Sequence, residues 1–156
     1  MAATSTDAIV LQCFPYGETS RIVRLLTRSA GVHSAIAKGA LRPRSRYALM
    51  EPFSEGGVTL YIRNTRDLQT LGAFDLTRSR QDLGRDLLRF GGASLLAELV
   101  LRTASEEAHP ELFDTVSAGL DRLARVDADS LEVSVLAVTW HVIAELGFTP
   151  EEPGRQ

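Results

Sequence analysis

Hydrophobic and polar residues alternate along the first half of the chain and follow a helical spacing in the second half. In the fourth of five short runs, Val58, Leu60 and Ile62 alternate with polar or aromatic residues, so one face of this run is apolar. Five such runs within about 70 residues predict a small closed β-barrel of the OB type, followed by α-helices. The predicted strands cover residues 8–16, 21–27, 32–38, 53–62 and 68–76.

Three helices are predicted after the strands. The first takes Asp82 as its N-cap, runs to Thr103 and is almost continuously apolar, so we expect it to be buried on most sides. Pro110 fits the first turn of the second helix, where a missing N–H costs nothing. The apolar face of the second helix consists of Leu112, Phe113, Val116, Leu120 and Leu123.

A third helix is predicted where Asp129 and Glu132 resemble a capping box, and it ends at Gly147 with Pro150 beyond. Its apolar residues spread around more of the circumference than one packing face needs. We therefore expect an uncovered apolar strip around Trp140, through which the chain could self-associate. The alternative is that the first two helices cover Trp140 completely.

The change of period divides the chain. We expect a barrel domain over residues 1–80, a helical domain over residues 81–150 and a flexible tail over residues 151–156. Charge follows the same division, although the net charge of the 156 residues is only −3. Residues 1–82 hold eleven Lys and Arg against seven Asp and Glu, whereas residues 83–156 hold six against thirteen. The first half therefore suits a polyanion, and the second half suits protein partners.

Signals for catalysis, metal binding and membrane insertion were not found. The single cysteine, Cys13, forms neither an intramolecular disulfide nor a cysteine-based zinc site, so we expect no metal and no cofactor. No apolar run spans a membrane and the N-terminus does not resemble a signal peptide, which predicts a cytoplasmic location. The histidines lie far apart in sequence, at His33, His109 and His141. We expect a protein that is not an enzyme.

Two glycine pairs have structural interpretations. The sequence contains no GxGxxG, GxxxxGK[ST] or GxSxG motif. We predict a hairpin turn at Gly56 and Gly57, and a close contact between helices at Gly91 and Gly92.

Cations concentrate between the third and fourth predicted strands. Residues 17–46 carry seven basic side chains and one acid, Glu18. Gly39 permits a positive φ and Pro43 stiffens the chain, so the arginines here would lose little entropy on gripping phosphates. The alternative is compositional, because sixteen of the seventeen cations are arginines and any loop would collect some. The candidate phosphate-binding residues of this loop are Lys38, Arg42, Arg44 and Arg46.

A second candidate site lies on the polar face of the fourth predicted strand. Tyr61 and Arg63 share that face, where they could stack on a base and clamp it. An ordinary surface aromatic is the alternative.

The run AIVLQCFPYGETSRIVRLLTRSAGVHSAIAKGALRPRSRYALMEPFS, residues 8–54, resembles the N-terminal domain of the bacterial recombination mediator RecO. Residues 95–99, 110–113 and 145–150 resemble the helical region that follows in that family. The resemblance implies an OB-fold followed by helices and binding of single- and double-stranded DNA. It also implies strand annealing and, in company with RecR, loading of RecA onto DNA coated by single-strand-binding protein.

The resemblance implies that the basic barrel surface of that family corresponds here to six cations. The four in the loop are also the candidate phosphate-binding residues that the local sequence predicts. Arg21 and Arg24, three apart on one strand, point to opposite faces, so at most one joins the same surface. The six positions are Arg21, Arg24, Lys38, Arg42, Arg44 and Arg46.

The sequence departs from the family at its C-terminal end. Many members continue past the Gly-Phe-Thr-Pro segment into a four-cysteine zinc site and further helices, whereas this chain ends at Gln156. We expect a short form, natural or a fragment, without that part. Two functions remain open: a DNA-binding mediator, and an OB-fold interaction module whose arginines bind an acidic protein.

Overall fold

Five strands close into a barrel in the computed structural model, which describes residues 2–148. The order around the barrel is β1-β2-β3-β5-β4, with β3 and β5 parallel and the other pairs antiparallel. This is the arrangement of an OB-fold, and the predicted fold class is confirmed. The strands are β1 Ala2–Tyr16, β2 Ser20–Thr27, β3 Gly31–Ala37, β4 Glu55–Ile62 and β5 Leu68–Arg78.

The inside of the barrel is filled by alternate residues of every strand. In β3, for example, Ala35 and Ala37 are fully buried whereas Ser34 and Ile36 are partly exposed. The buried set continues into the loop between β3 and β4, which closes one end of the barrel. The inner cluster contains Ala8, Val10, Val23, Leu25, Ala35, Ala37, Val58, Leu60, Leu71 and Phe74, together with Ala40, Tyr47 and Met50 from the loop.

The predicted hairpin turn at Gly56 and Gly57 is wrong, because both glycines lie inside β4. Gly56 is required there by a close strand approach: a Cβ atom on it would lie 2.3 Å from the carbonyl oxygen of Asp75 on β5. Close backbone approach is the other common reason for glycine in a strand.

Three α-helices follow a short 3-10 helix at Gln81–Gly84. They are α1 Leu87–Thr103, α2 Pro110–Arg125 and α3 Ala128–Glu145. Pro110 occupies the first turn of α2, as predicted, and the whole predicted apolar face of α2 is buried. Within residues 2–148, no helix is long and apolar enough to cross a lipid bilayer.

Both predicted N-caps are wrong by two to four residues. The cap of α1 is Asp86, whose carboxylate accepts a hydrogen bond from Arg89 N at 2.8 Å, because Asp82 is taken up in the 3-10 turn. The backbone N–H of Arg89 is the main reason that the pKa of Asp86 is lowered. The cap of α3 is Asp127, which accepts from Ser130 N at 2.9 Å and displaces Asp129 into the first turn. Pro150 and residues 151–156 lie outside the described residues.

The helices pack on the outer surface of β1 and β2, where they form a second core. By ordinary alternation, Val10 is buried inside the barrel and Leu11 is buried against the helices. A bulge in β1 between Val10 and Gln12 then shifts the phase of the strand, so that Cys13 packs against the inner cluster again. The barrel contributes Ile9, Leu11, Leu26 and Phe53, and the helices contribute mainly Leu96, Val100, Leu112, Val116, Leu120, Leu123, Leu131, Val138 and Val142. The division into two domains stays a prediction.

Two glycines allow close approaches around this second core. Gly31, with φ +74°, opens β3 where a Cβ would lie 2.6 Å from backbone atoms of the α1–α2 connection, and Val32 N donates to Ser105 O at 3.0 Å. Gly92 of α1 lies against Val135 of α3, which confirms the predicted helix contact for Gly92. A Cβ on Gly91 would meet open space, so that part of the prediction is wrong.

A buried guanidinium joins the barrel to the helices. Arg80 donates to Phe53 O and to Glu55 Oε1 on the barrel side, at 2.9 and 2.8 Å. On the helix side it donates to Ser117 Oγ and to Asp121 Oδ1 of α2, both at 2.9 Å. Ser117 Oγ in turn donates to Glu55 Oε1 at 2.6 Å. The three nitrogens of one guanidinium thus donate hydrogen bonds to both parts of the chain.

The expectation that α1 is buried on most sides is wrong. Its side chains Leu87, Leu88 and Leu95 are 87%, 51% and 50% exposed, because the helix covers the barrel with one face only. The predicted uncovered strip on α3 is confirmed: Trp140 is 52% exposed, and Val133 and Leu136 are each 67% exposed. The alternative, that α1 and α2 cover Trp140, is wrong.

Replacing Arg80 by alanine should lower the free energy of unfolding by about 3–5 kcal/mol, because the carboxylate of Glu55 would stay buried without its cation. Urea unfolding followed by circular dichroism measures this. The control is Arg102→Ala, which removes an exposed pair with Glu98 and should cost about 0–1 kcal/mol. Equal costs for the two variants would contradict the linking role of Arg80.

Self-association through the strip around Trp140 stays a prediction. Light scattering at rising protein concentration should give a mass above the 17.0 kDa of one chain. Trp140→Glu should return the mass to that of one chain, whereas Leu87→Glu, at another exposed apolar position, should not. A wild-type protein that stays at 17.0 kDa over the whole range would remove the prediction.

Candidate nucleic-acid interface

The basic loop, residues 38–46, is held in place by the backbone and by the barrel core. Leu41 N donates to Thr19 O of the β1–β2 turn at 2.8 Å, and Gly39 N reaches Ser20 Oγ at 3.4 Å. Gly39 has φ +73° and Arg44 has φ +59°, so the chain reverses through two left-handed residues. The buried Ala40 on one side of the loop and Tyr47 just after it fix both ends. The loop therefore presents its arginines from a rigid base.

Tyr47 connects this loop to the sheet. Its ring is buried and its hydroxyl donates to Leu71 O of β5 at 3.1 Å. Burial raises the pKa of Tyr47 above its ordinary value, so the phenol keeps the proton that it donates. The guanidinium of Arg46 lies 5.0 Å from the centre of the Tyr47 ring, in a cation–π contact. Arg42 and Arg44 are exposed without such a contact.

A cleft of about 390 Å³ opens between the end of β3 and the β4–β5 turn. Three cations line it, Lys38 from the end of β3 and Arg63 and Arg66 from the turn. Tyr61 of β4 forms part of its wall, and Thr70 of β5 lies directly opposite Tyr61 in the sheet. The structure thus brings the predicted pair Tyr61 and Arg63 together with Lys38, which belongs to the basic loop.

The turn that carries these arginines is organised by one buried glutamine. Gln69 Oε1 accepts from Arg63 N at 2.8 Å, and Gln69 Nε2 donates to Arg63 O at 3.3 Å and to Arg66 O at 2.6 Å. Gln69 is only 4% exposed, so its amide has no competing water. Its side chain replaces the missing ladder bonds of the turn and fixes the backbone at both arginines.

A bulge in β5 makes room for the ring of Tyr61. Thr59 pairs with Ala73 and Leu60 pairs with Leu71, which leaves Gly72 as the extra residue. A Cβ on Gly72 would lie 2.5 Å from Cε2 of Tyr61, so the ring rests directly on the glycine backbone. This packing holds the ring in the wall of the cleft.

The structure separates Arg21 from Arg24. Arg21 extends toward the loop between β3 and β4, where its Nη1 donates to Met50 O at 3.3 Å. Its Nε is buried without a hydrogen-bond partner among the described residues. Arg24 lies on the outer face and its Nη1 donates to Gln12 Oε1 at 3.4 Å. Of the two, Arg24 alone shares a face with the wall of the cleft.

Ion pairing divides the arginines of the chain. Those at the contact between barrel and helices have carboxylate partners: Arg28 pairs with Asp114, and Arg78 and Arg80 pair with Asp121. In the described part of the chain, the cations of the loop and the cleft have no carboxylate within 4.0 Å. These cations are Lys38, Arg42, Arg44, Arg46, Arg63 and Arg66. Within residues 2–148, the barrel face thus carries positive charge without carboxylate partners.

Arg66 is a candidate that sequence reasoning missed. It lies in a five-residue turn beside Asp67 and three residues after Arg63, and nothing in the spacing distinguishes it from an ordinary turn cation. The sequence feature that could have indicated Arg66 is Gln69, three residues later at an inward position of the strand. A buried polar side chain there must find hydrogen-bond partners nearby. Gln69 finds them at Arg63 and Arg66.

Comparison with known families covers nearly the whole chain. The family model "Recombination protein O N terminal" matches residues 1–80, and "Recombination protein O C terminal" matches residues 84–152. The DNA repair protein RecO of Syntrophobacter fumaroxidans is 37% identical over 152 residues, which are 96% of this chain and 59% of that protein. The DNA repair protein RecO of Bacillus subtilis is 33% identical over 150 residues, 95% of this chain and 57% of that protein.

A third relative, the DNA repair protein RecO of Geobacter metallireducens, is 38% identical over 125 residues, which are 79% of this chain and 50% of that protein. The chain therefore spans 50–59% of the length of these three relatives.

Replacing Gln69 by leucine keeps the side-chain volume but removes three hydrogen bonds from the turn. We expect a loss of about 1–3 kcal/mol in the free energy of unfolding, because Arg63 N and two carbonyl groups lose their buried partner. Amide exchange at Arg63 should become at least tenfold faster, which NMR measures directly. Gln12→Leu, at an exposed glutamine, is the control. Unchanged exchange at Arg63 would mean that Gln69 does not hold the turn.

Proposed function

The chain belongs to the recombination protein O (RecO) family, and we propose that it acts in DNA repair and recombination by holding nucleic acid on the basic face of its barrel. The curated relatives carry the name DNA repair protein, which supports this general role.

The observation that carries the proposal is the set of cations that have no carboxylate partner among residues 2–148. Lys38, Arg63 and Arg66 converge on one cleft, and the exposed arginines of the basic loop lie beside it. An unpaired cation keeps its full attraction for phosphate, whereas a paired one must first give up its carboxylate. The planar guanidinium also matches phosphate in a bidentate geometry.

The same geometry supports binding with little sequence preference. Base-edge recognition in a duplex needs a helix or a two-stranded ribbon in the major groove. The cations described here lie instead on a compact loop and a tight turn of the barrel, which suit contacts to the sugar-phosphate backbone. We therefore propose binding of both single- and double-stranded DNA.

Finer activities follow from the family and are proposals for this chain. They are annealing of complementary strands and loading of RecA onto DNA coated by single-strand-binding protein, with RecR as partner. The acidic second half supports a role in protein contacts, since residues 83–156 hold thirteen Asp and Glu against six Lys and Arg.

A second candidate is an interaction module that binds an acidic protein segment with the same cations. It rests on the same unpaired charges, because a carboxylate-rich chain offers similar partners to a guanidinium. Binding of naked oligonucleotide distinguishes the two functions.

The test is fluorescence anisotropy of a labelled single-stranded oligonucleotide over a range of salt concentrations. If about four phosphates are neutralised, the slope of log K against log salt should be roughly −3, from about −0.7 per phosphate. The double variant Arg44→Gln with Arg46→Gln should make that slope less steep by about 1.4.

The matched control is Arg85→Gln with Arg102→Gln, which removes two cations that have carboxylate partners in the helical half. Its slope should equal that of the wild type. A wild-type protein without affinity at low salt would favour the interaction module. An unchanged slope in the Arg44 and Arg46 variant would exclude the basic loop from the interface.

A further inference from the structure

A row of side chains crosses the outer face of the barrel and has an aromatic ring at each end. Strand register pairs Phe14 with Ile22, Ile22 with Ile36, and Ile36 with Thr70, which in turn faces Tyr61. We name these five residues the outer row. Four steps between neighbouring strands, at about 4.8 Å each, separate its two ends by roughly 19 Å along the surface.

Alternation along the strands places the outer row outside the barrel. Cys13, Val23 and Ala35 pack against the inner cluster, so their neighbours Phe14, Ile22 and Ile36 face outward. Phe14 is 41% exposed, and Ile22 and Ile36 are partly exposed. The helices pack on Ile9, Leu11 and Leu26 and leave this part of the sheet uncovered.

A third aromatic residue joins the row to the basic loop. Tyr16 lies two residues beyond Phe14 on the same face and is 49% exposed. Its partner across the ladder is Ser20, whose hydroxyl accepts the hydrogen bond from Gly39 N. Tyr16 therefore lies next to the basic loop, with Phe14 two residues further along β1. Tyr61 lies in the cleft that Lys38 also lines.

Exposed aromatic rings on a polar protein surface have a cost in water, and one class of ligand removes that cost. Bases of an unpaired strand present flat apolar faces, and stacking on aromatic side chains is tolerant of sequence. A duplex keeps its bases stacked inside the helix and offers only phosphates and sugars to such a surface. Aromatic rings next to unpaired cations thus fit a single strand better than a duplex.

We propose that Phe14 and Tyr16 form a second stacking platform, and that a single strand runs along the outer row from Tyr61 to Phe14 with its phosphates on the neighbouring cations. This inference rests on the proposed function and adds the residues that distinguish single strands from duplexes. The cations bind both forms of DNA, whereas the rings bind unpaired bases only.

The experiment compares single-stranded and blunt duplex oligonucleotides of equal length. Phe14→Ala and Tyr16→Ala should each weaken single-strand binding about tenfold, and the double variant by more, without a change in salt slope. Duplex binding should stay within twofold of the wild type. Phe14→Leu and Tyr16→Leu preserve apolar packing and should show the same selective loss. The control Phe148→Leu alters an exposed ring just after α3 and should change neither affinity.

Each outcome has a defined meaning. Selective loss on single strands supports the platform. Equal loss on both forms of DNA, or no loss on either, overturns the platform. If the variant Arg44→Gln with Arg46→Gln still weakens binding in that case, the proposed function stands and only the platform fails. A wild-type protein that binds neither form would instead refute the proposed function itself. Thermal melting of each variant identifies loss of fold, and the leucine variants then decide.

Discussion

The buried guanidinium of Arg80 is the interaction on which the arrangement of barrel and helices depends. It lies just after β5 and donates to Phe53 and Glu55 on one side and to Ser117 and Asp121 on the other. The cost of removing a charge from water offsets much of the attraction in a buried ion pair. The main effect of this contact is therefore to fix one arrangement rather than to add net stability. It admits one placement of α2 on the barrel. That placement covers the outside of β1 and β2 near Leu11 and Leu26 and leaves the surface over β3, β5 and β4 open.

The surface that the helices cover and the open surface differ in whether their arginines have carboxylate partners. Toward the helices, each arginine described above is matched by a carboxylate or by helix carbonyl groups, as Arg89 is by Leu123 O and Val126 O. Toward the loop and the cleft, the matching carboxylates are missing from the described part of the chain. A protein with a net charge of −3 thus has a cationic face, because the ion-paired carboxylates among residues 2–148 lie away from the loop and the cleft. Net charge alone would have pointed away from a polyanion.

Local patterns predicted the elements well and their contacts poorly. Alternation found all five strands, and the 3.6-residue period found three helices, because each reflects burial of one face by a regular backbone. Gly56 was misread because a close backbone approach, where a Cβ atom would lie 2.3 Å from the carbonyl oxygen of Asp75, and a turn both require glycine, and the sequence does not distinguish them. Asp82 was misread because the 3-10 turn is fixed by Leu83 in the core and by Arg80.

The candidate site shows the same limit. The density of arginines marked the basic loop, but the meeting of Lys38 with Arg63 and Arg66 depends on the parallel pairing of β3 with β5, which no local pattern contains. Phe14 and Tyr16 were absent from the sequence prediction for a similar reason. An aromatic at the end of a strand is as compatible with a core as with a surface, and only the register of β1 with β2 assigns the face.

The basic loop has two duties that natural variation must satisfy together. The same short segment presents exposed arginines outward and inserts Ala40, with Tyr47 and Met50 after it, into the end of the barrel. A loop that served only as a ligand surface could gain or lose residues among homologues with little penalty. Here an insertion would displace the buried residues Ala40, Tyr47 and Met50 from the end of the barrel as well as shift the cations. Homologues should therefore vary the identity and number of the cations freely while they conserve the length of this segment and the small, aromatic and apolar character of its inward positions.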